Sequence, residues 1–380
     1  MILKSIKYIR FAGKKKEWAI IGSDDRAVQL GNINLLVGKN AAGKSRTLNV
    51  LKEIGGLLSC SYNLLNTPFP EARYELVFVD NRQEYSYILT YEDKSVSEEL
   101  VFVNGEKLFD RKNNYISQKL SSENISLSDI DKHTLAVSLH SKECPSLEKL
   151  YEWGKSLQNA AFTNQIEKKY LIPDLDSLKT QLKNQIGSIN SVPLLYVFAK
   201  GKELYGDKFI NNIIKDMDKL GYPIDIIDIM KCNGGYGLCV KESELDDFTD
   251  QLEMSQGMYR SLSLVVQLRY ALMSKMSACI LVDDLGEGLD FDRSKLLVDI
   301  LINNIDKSNI QIFFTTNDRF VMNKLPLEFW SVIERYPHKS VFYNYYNSKT
   351  TFEDFKYTGL SNSDFLATDF YLKGFDGDVE

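Results

Sequence analysis

Cysteine and histidine are scarce in this chain of 380 residues. Five cysteines (Cys60, Cys144, Cys232, Cys239, Cys279) are scattered and odd in number, and there are three histidines. No disulfide framework and no zinc-ligand spacing can be read from them, and buried reduced thiols are the simpler reading. Long apolar runs are missing too: none approaches the roughly 18 residues that span a bilayer. The start, Met1-Ile2-Leu3-Lys4-Ser5, lacks a signal-peptide core and cleavage site. A cytoplasmic protein without membrane contact is expected. The net charge of −6 supplies no global positive field to recruit nucleic acid, so any DNA contact has to be local.

Against these absences one stretch stands out. Gly38-Lys39-Asn40-Ala41-Ala42-Gly43-Lys44-Ser45 fits G-x-x-x-x-G-K-[ST] at every required position. Glycines at this spacing let backbone N–H groups converge on phosphate oxygens, Lys44 adds a cation, and the Ser45 hydroxyl suits Mg²⁺. The buried-strand run Ile33 to Val37 before it, and the helical spacing of Thr47 to Ile54 after it, place the loop between strand and helix. ATP with Mg²⁺ is the expected ligand, held by Gly38 through Ser45 with Arg46 adjoining.

Leu3 to Arg10 alternates as an edge strand does, and two short strands are expected at Trp18 to Ile21 and Ala27 to Leu30. Lys14-Lys15-Lys16 forms a solvated turn or touches a nucleic-acid phosphate. Tyr74 to Val79, Tyr85 to Tyr91 and Glu99 to Val103 read as an antiparallel meander that continues through the turn Asn104-Gly105. Gln83, between two of those strands, is either a Mg²⁺- or water-contacting glutamine or a solvent-facing turn residue. From Ser141 to Leu220 the texture becomes helical, broken at Pro145, Pro173 and Pro193; Ile172 to Ile189 is the candidate arm. Strands then return on either side of Asn233-Gly234-Gly235.

A second set of residues completes the site. Cys279 to Asp284 is a buried strand ending in two carboxylates, a layout that puts Asp283 on the Mg²⁺ shell and Asp284 beside the attacking water. Upstream, Met254-Ser255-Gln256-Gly257 opens an apolar helix expected from Ser261 to Met276. A hydroxyl and a glycine there make either an anion-binding terminus or a simple cap.

The order of P-loop, long insertion, Ser-Gln-Gly helix start and hydrophobic strand ending in paired acids resembles the ABC-type ATPase head. More narrowly it resembles the RecF/SMC/OLD-like group of bacterial AAA-family ATP-binding proteins, often found in antiphage defence systems. In that resemblance Asp283-Asp284-Leu285-Gly286-Glu287-Gly288-Leu289-Asp290 lies over the Walker B and D-loop, and Ile310 to Thr316 followed by Asn317-Asp318 lies over the switch. It covers about residues 1–60 and 250–325 well. Two positions depart from the family: Asp284 stands where a catalytic glutamate is usual, and Asn317 where many members have histidine. A shorter carboxylate and an amide that carries no positive charge weaken general-base help. The resemblance therefore implies slow hydrolysis, with Lys44, Asp284 and Asn317 in the reaction and Glu287 either a substitute base or turned to a partner subunit.

The resemblance also implies a homodimer or higher even oligomer formed through ATP, in which Ser255, Gln256 and Gly257 of one head complete the triphosphate site of the other. The fold class expected is α/β, a P-loop ABC-type ATPase head with an antiparallel β subdomain and an inserted helical lobe. Its parts are residues 1–140 (P-loop and β subdomain), 141–230 (the lobe) and 231–380 (signature helix, Walker B, D-loop and switch). Beyond the switch, Asn323 to Trp330 is expected to lead into a helix, Val341 to Tyr346 to form a strand, and the acidic end after Lys373 to fray. Two functions remain open: an ATP-switched regulatory subunit of a defence or toxin-like system with a separate effector protein, or a RecF-like DNA clamp in repair.

Overall fold

The computed structural model describes residues 1–117, 130–141, 144–160, 168–184, 193–274, 277–305 and 308–375. The chain forms two compact units, residues 1–157 with 325–380, and residues 158–324.

In the first unit the P-loop strand Ile33–Val37 is buried along its whole length. Trp330–Tyr336 lies parallel to it, with Trp330 opposite Leu35 and Val332 opposite Val37. The sheet continues through Lys339–Asn344, Trp18–Gly22, Ile2–Arg10, Ala72–Asp80, Gln83–Glu92, Ser95–Val103, Glu106–Asp110 and Tyr115–Ile116. The antiparallel meander is thus as expected. Three local expectations change. Ile2–Arg10 is interior, paired on both sides, because alternation reports one buried face and not the presence of neighbours. The strand after Trp18–Gly22 shortens to Val28–Gln29. Trp330–Tyr336 is a strand and not part of a helix, its residues Trp330 to Ile333 being buried in succession.

The inner face of the meander carries Tyr74, Leu76 and Phe78 opposite Leu89, Tyr87 and Tyr85, all buried. Each such side chain contributes about 2 kcal/mol of burial. The P-loop helix, Lys44–Leu58, is tied to this face where the Tyr91 hydroxyl donates to Glu53 at 3.1 Å. Pro145–Ser156 is a helix that starts on its proline, whose missing N–H costs nothing at a helix's first turn. Its Trp153 packs edge-on against Phe78 at 4.8 Å, so this helix belongs with the first unit. Tyr371 closes the far side, packing on Tyr343 at 5.4 Å and donating to Glu334.

In the second unit Ala278–Val282 and Ile310–Thr315 pair in parallel, Val282 opposite Phe314, with every residue of both strands buried. The signature helix Gln256–Ser274 precedes the first strand and the helix Phe291–Ile305 follows it. Helices Leu194–Tyr205 and Asp207–Lys219 pack on the signature helix through the buried Asp216–Arg269 ion pair at 2.5 Å and the Tyr205–Tyr270 contact. A separate antiparallel sheet holds Ile224–Cys232, Gly235–Glu242 and Thr249–Asp250, turning at Asn233-Gly234. Of the candidate arm, Leu175–Asn184 is helical; its end at 185–189, like the acidic end at 376–380, lies outside the described residues.

Candidate nucleotide site

The P-loop lies between strand and helix as its spacing requires. Gly38 has no room for a side chain: a Cβ there would sit 2.5 Å from the Ile333 carbonyl oxygen and 3.0 Å from the Ala42 Cβ. Ala41 takes a left-handed conformation with φ 62°. Behind the loop, Ser340 Oγ donates to the Ala42 carbonyl at 2.8 Å and accepts from Trp18 Nε1 at 3.1 Å. Lys44 is buried, with Nζ donating to the Gly38 carbonyl at 2.7 Å, so its ammonium is held over the cradle. The helix begins at Lys44 without a side-chain cap hydrogen bond and with no acid in its first turn, so its positive end favours an anion. Ser45 and Asn40 are exposed. Lys39 turns instead to Asp369 at 2.8 Å, which raises its pKa. Arg46 lays its guanidinium over the Trp18 ring, 4.8 Å from the centroid.

In the second unit Ser255 is exposed and caps the signature helix, its Oγ accepting from Met258 N at 3.1 Å. A cavity of about 660 Å³ opens at Ser255, Gln256 and Gly257. Gly257 is required by its neighbours, since a Cβ would meet the Gly288 carbonyl oxygen at 2.7 Å and Tyr222 Oη at 3.0 Å. Arg260, one turn on, donates to the Glu287 carbonyl at 2.5 Å and lies 3.8 Å from the Glu287 carboxylate. The signature helix and the D-loop are thereby pinned together.

The acid pair is organised by Thr315. Its hydroxyl donates to Asp283 Oδ1 at 2.6 Å and accepts from Asp284 N at 2.8 Å. Asp284 adopts φ 55°, a left-handed conformation that costs a non-glycine residue about 1 kcal/mol. Asn317 Nδ2 donates to Asp284 Oδ1 at 3.4 Å. Asp290 caps the following helix through Arg293 N at 2.9 Å and pairs with the Arg293 guanidinium at 2.6 Å; these contacts hold its carboxyl below the usual range. Among the described residues no group of three His, Cys, Asp or Glu could hold a metal.

Each expected site residue thus has a defined place in its own unit, the P-loop set in the first and the signature, acid and switch set in the second. Gln83 starts a strand after a two-residue turn, with its amide oxygen accepting from Tyr85, which is the turn reading. Sequence reasoning passes over Thr315, Ser340, Trp18 and Arg260. Of these only Thr315 carries a local signal, a hydroxyl at the carboxyl end of a wholly buried, mostly apolar strand.

The cradle and the paired acids define a P-loop ATPase head of the ABC and SMC type. The family described as "AAA domain, putative AbiEii toxin, Type IV TA system" matches residues 33–323, and the chain belongs to it. Among solved structures, an SmcHead bound to the C-winged helix domain of ScpA is 12% identical with a TM-score of 0.51, covering 90% of this chain and 97% of that one. A Pyrococcus furiosus Smc head with an extended coiled coil, bound to the C-terminal domain of ScpA, is also 12% identical, with a TM-score of 0.49 and coverage of 93% and 99%. An SMC head domain from Thermotoga maritima is 14% identical, with a TM-score of 0.46 and coverage of 90% and 98%. These likenesses concern the fold. No curated protein matches the sequence. Among the described residues no helix is long and apolar enough to cross a membrane.

Proposed function

We propose that this chain is an ATP-dependent switch: it binds Mg²⁺-ATP at Gly38 to Ser45, dimerises around it, and hydrolyses it slowly. It serves as the regulatory subunit of a defence or toxin-like system with a separately encoded effector; the family description, which names a putative toxin of a type IV TA system, supports the toxin-like setting.

The observation that carries the switch is the exposed, capped signature helix start opening on its own cavity of about 660 Å³. The first turn of that helix holds no acid, so its positive end favours an incoming phosphate. A second copy's triphosphate is the ligand that this terminus accepts, and ATP bound between two copies stabilises the pair by linkage. Bound Mg²⁺ neutralises phosphate charge. Lys44 holds the terminal phosphates, Ser45 and Asp283 offer oxygen ligands to the ion, and Asp284 accepts a proton from water. Asn317 donates to the Asp284 carboxylate, and the amide carries no positive charge to assist a proton transfer. Slow turnover follows from those two residues.

Ser255→Arg places a cation and bulk in the accepting terminus. Analytical ultracentrifugation should show this variant binding ATP without dimerising. Dimerisation by the variant equal to that of the unaltered chain contradicts the assignment of Ser255 to the interface.

A further inference from the structure

The Lys39 side chain of the P-loop is held by the far end of the chain. Its Nζ lies 2.8 Å from Asp369 Oδ1 and donates to Oδ2 at 3.0 Å, across 330 positions of sequence. The backbone of Lys39 belongs to the cradle, since its carbonyl accepts from Ala42 N at 3.1 Å and from Lys44 Nζ at 3.5 Å. Of the loop's lysines, Lys39 and Lys44, the first is therefore neutralised by a carboxylate of the same chain.

The fold places the acid for this contact. Asp369 takes a left-handed conformation, φ 56°, and precedes the short helix Phe370–Lys373 without capping it, so its side chain forgoes the usual partner of that position and turns to the loop. The backbone on either side is anchored. Phe365 and Phe370 both pack on Phe355, at 5.0 and 5.1 Å, and the Tyr371 hydroxyl donates to Glu334. Holding Asp369 against Lys39 thus costs less entropy than pairing two mobile surface side chains.

A triphosphate in the cradle and the Asp369 carboxylate compete for one cation. The carboxylate also stands only one lysine side chain from the loop, within the roughly 10 Å over which charges act at 0.1 M salt. It repels an arriving anion whenever Lys39 leaves it. By linkage, a contact that weakens nucleotide binding is itself weakened by nucleotide, and by the same factor.

We infer that residues 362–373 act through Asp369 as a regulatory latch on the P-loop, withholding the Lys39 cation from the triphosphate and lowering the affinity for ATP until the contact opens. The inference rests on the proposed ATP site and does not depend on dimerisation. It makes the C-terminal segment the element that sets how much ATP the switch requires.

Asp369→Asn removes the charge and keeps a residue that tolerates the left-handed conformation. Titration with a fluorescent ATP analogue should show affinity tighter by roughly three- to five-fold, the range an exposed ion pair supplies. Lys39→Met added to Asp369→Asn should return affinity to the wild-type value. Tyr371→Phe, which loosens the segment and leaves the ion pair itself unaltered, should tighten binding by a smaller factor. Hydrogen exchange read by mass spectrometry, on the Ser255→Arg chain so that dimerisation adds nothing, should show residues 362–373 exchanging faster with Mg²⁺-ATP than without it. A wild-type chain that binds no nucleotide would overturn the inference together with the proposed ATP site. Affinity unchanged or weakened in Asp369→Asn, a gain that survives Lys39→Met, or exchange at 362–373 that nucleotide leaves unchanged or slows would each overturn the latch alone and leave the ATP site standing.

Discussion

Thr315 and Asp283 are joined by a 2.6 Å hydrogen bond from a fully buried hydroxyl, and the same hydroxyl accepts the backbone N–H of Asp284. One side chain on the strand Ile310–Thr315 thus sets the orientation of the Asp283 carboxylate and the backbone of Asp284 beside it. Thr315→Val keeps the shape and removes both bonds. We expect a stability loss of about 1–3 kcal/mol, the usual net worth of two hydrogen bonds. Mg²⁺ titration of nucleotide affinity should shift to higher metal concentration, with metal-free affinity unchanged and Thr315→Ser restoring both. A Val variant that unfolds as wild type does and keeps its Mg²⁺ dependence would show the bond to be incidental.

Ser340 plays the equivalent part behind the P-loop, between the Ala42 carbonyl and the Trp18 indole. Ser340→Ala leaves a buried carbonyl and a buried N–H without their partner. Chemical denaturation should report a stability decrease of about 1–3 kcal/mol. ATP affinity should fall together with it, because the loop's rear support is gone; unchanged affinity in the folded variant would mean that the cradle is held by Gly38 and its neighbours alone.

The D-loop acid Asp290 gives a sign for acid behaviour. Its folded pKa is held below the ordinary 3.8, chiefly by the Arg293 backbone N–H and then by the Arg293 guanidinium. Between the two values the unfolded chain binds more protons, so stability rises with pH there. The contribution is complete above about 3.8 and disappears as pH falls through the lower, folded value. Asp290→Asn keeps a helix cap but cannot titrate. Its unfolding midpoint should therefore change less between about pH 5 and pH 2 than that of the wild type; parallel acid limbs would show that the D-loop carboxyl is irrelevant to acid stability.

Turnover should respond to Asp284 and Asn317 together. Asp284→Asn, which retains a side chain tolerant of the left-handed φ of 55°, should lower steady-state phosphate release by roughly ten-fold or more. Asn317→His should raise it. Unchanged turnover in Asp284→Asn would remove that carboxylate from the mechanism and leave Glu287 to be tested, although the Arg260 contact at 3.8 Å engages it at the D-loop.

Much of this architecture is legible in the sequence because it is local. Gly38 to Ser45 announces itself by residue type at fixed spacing, Ser255 to Gly257 and Asp283-Asp284 draw notice only by their order after it, and the meander shows by alternation. What escapes depends on partners distant in the chain. The bond from Ser340 to Ala42 spans 298 positions, and nothing near Ser340 marks it as a support for phosphate binding. Trp330–Tyr336 does not declare itself because a strand buried at successive residues loses the alternation that would identify it. Pro145 and Pro193 interrupt the helical pattern in the sequence, yet in the structure they start helices, since a proline at a helix's beginning and one that ends a helix look alike without their neighbours.

The central claim, that ATP joins two copies through Ser255, is tested most directly by sedimentation velocity of the Asp284→Asn variant with and without Mg²⁺-ATP. The account predicts monomer without nucleotide, dimer with it, and no dimer when Ser255→Arg is added. A single species indifferent to nucleotide, or a dimer that persists with Ser255→Arg, would contradict it.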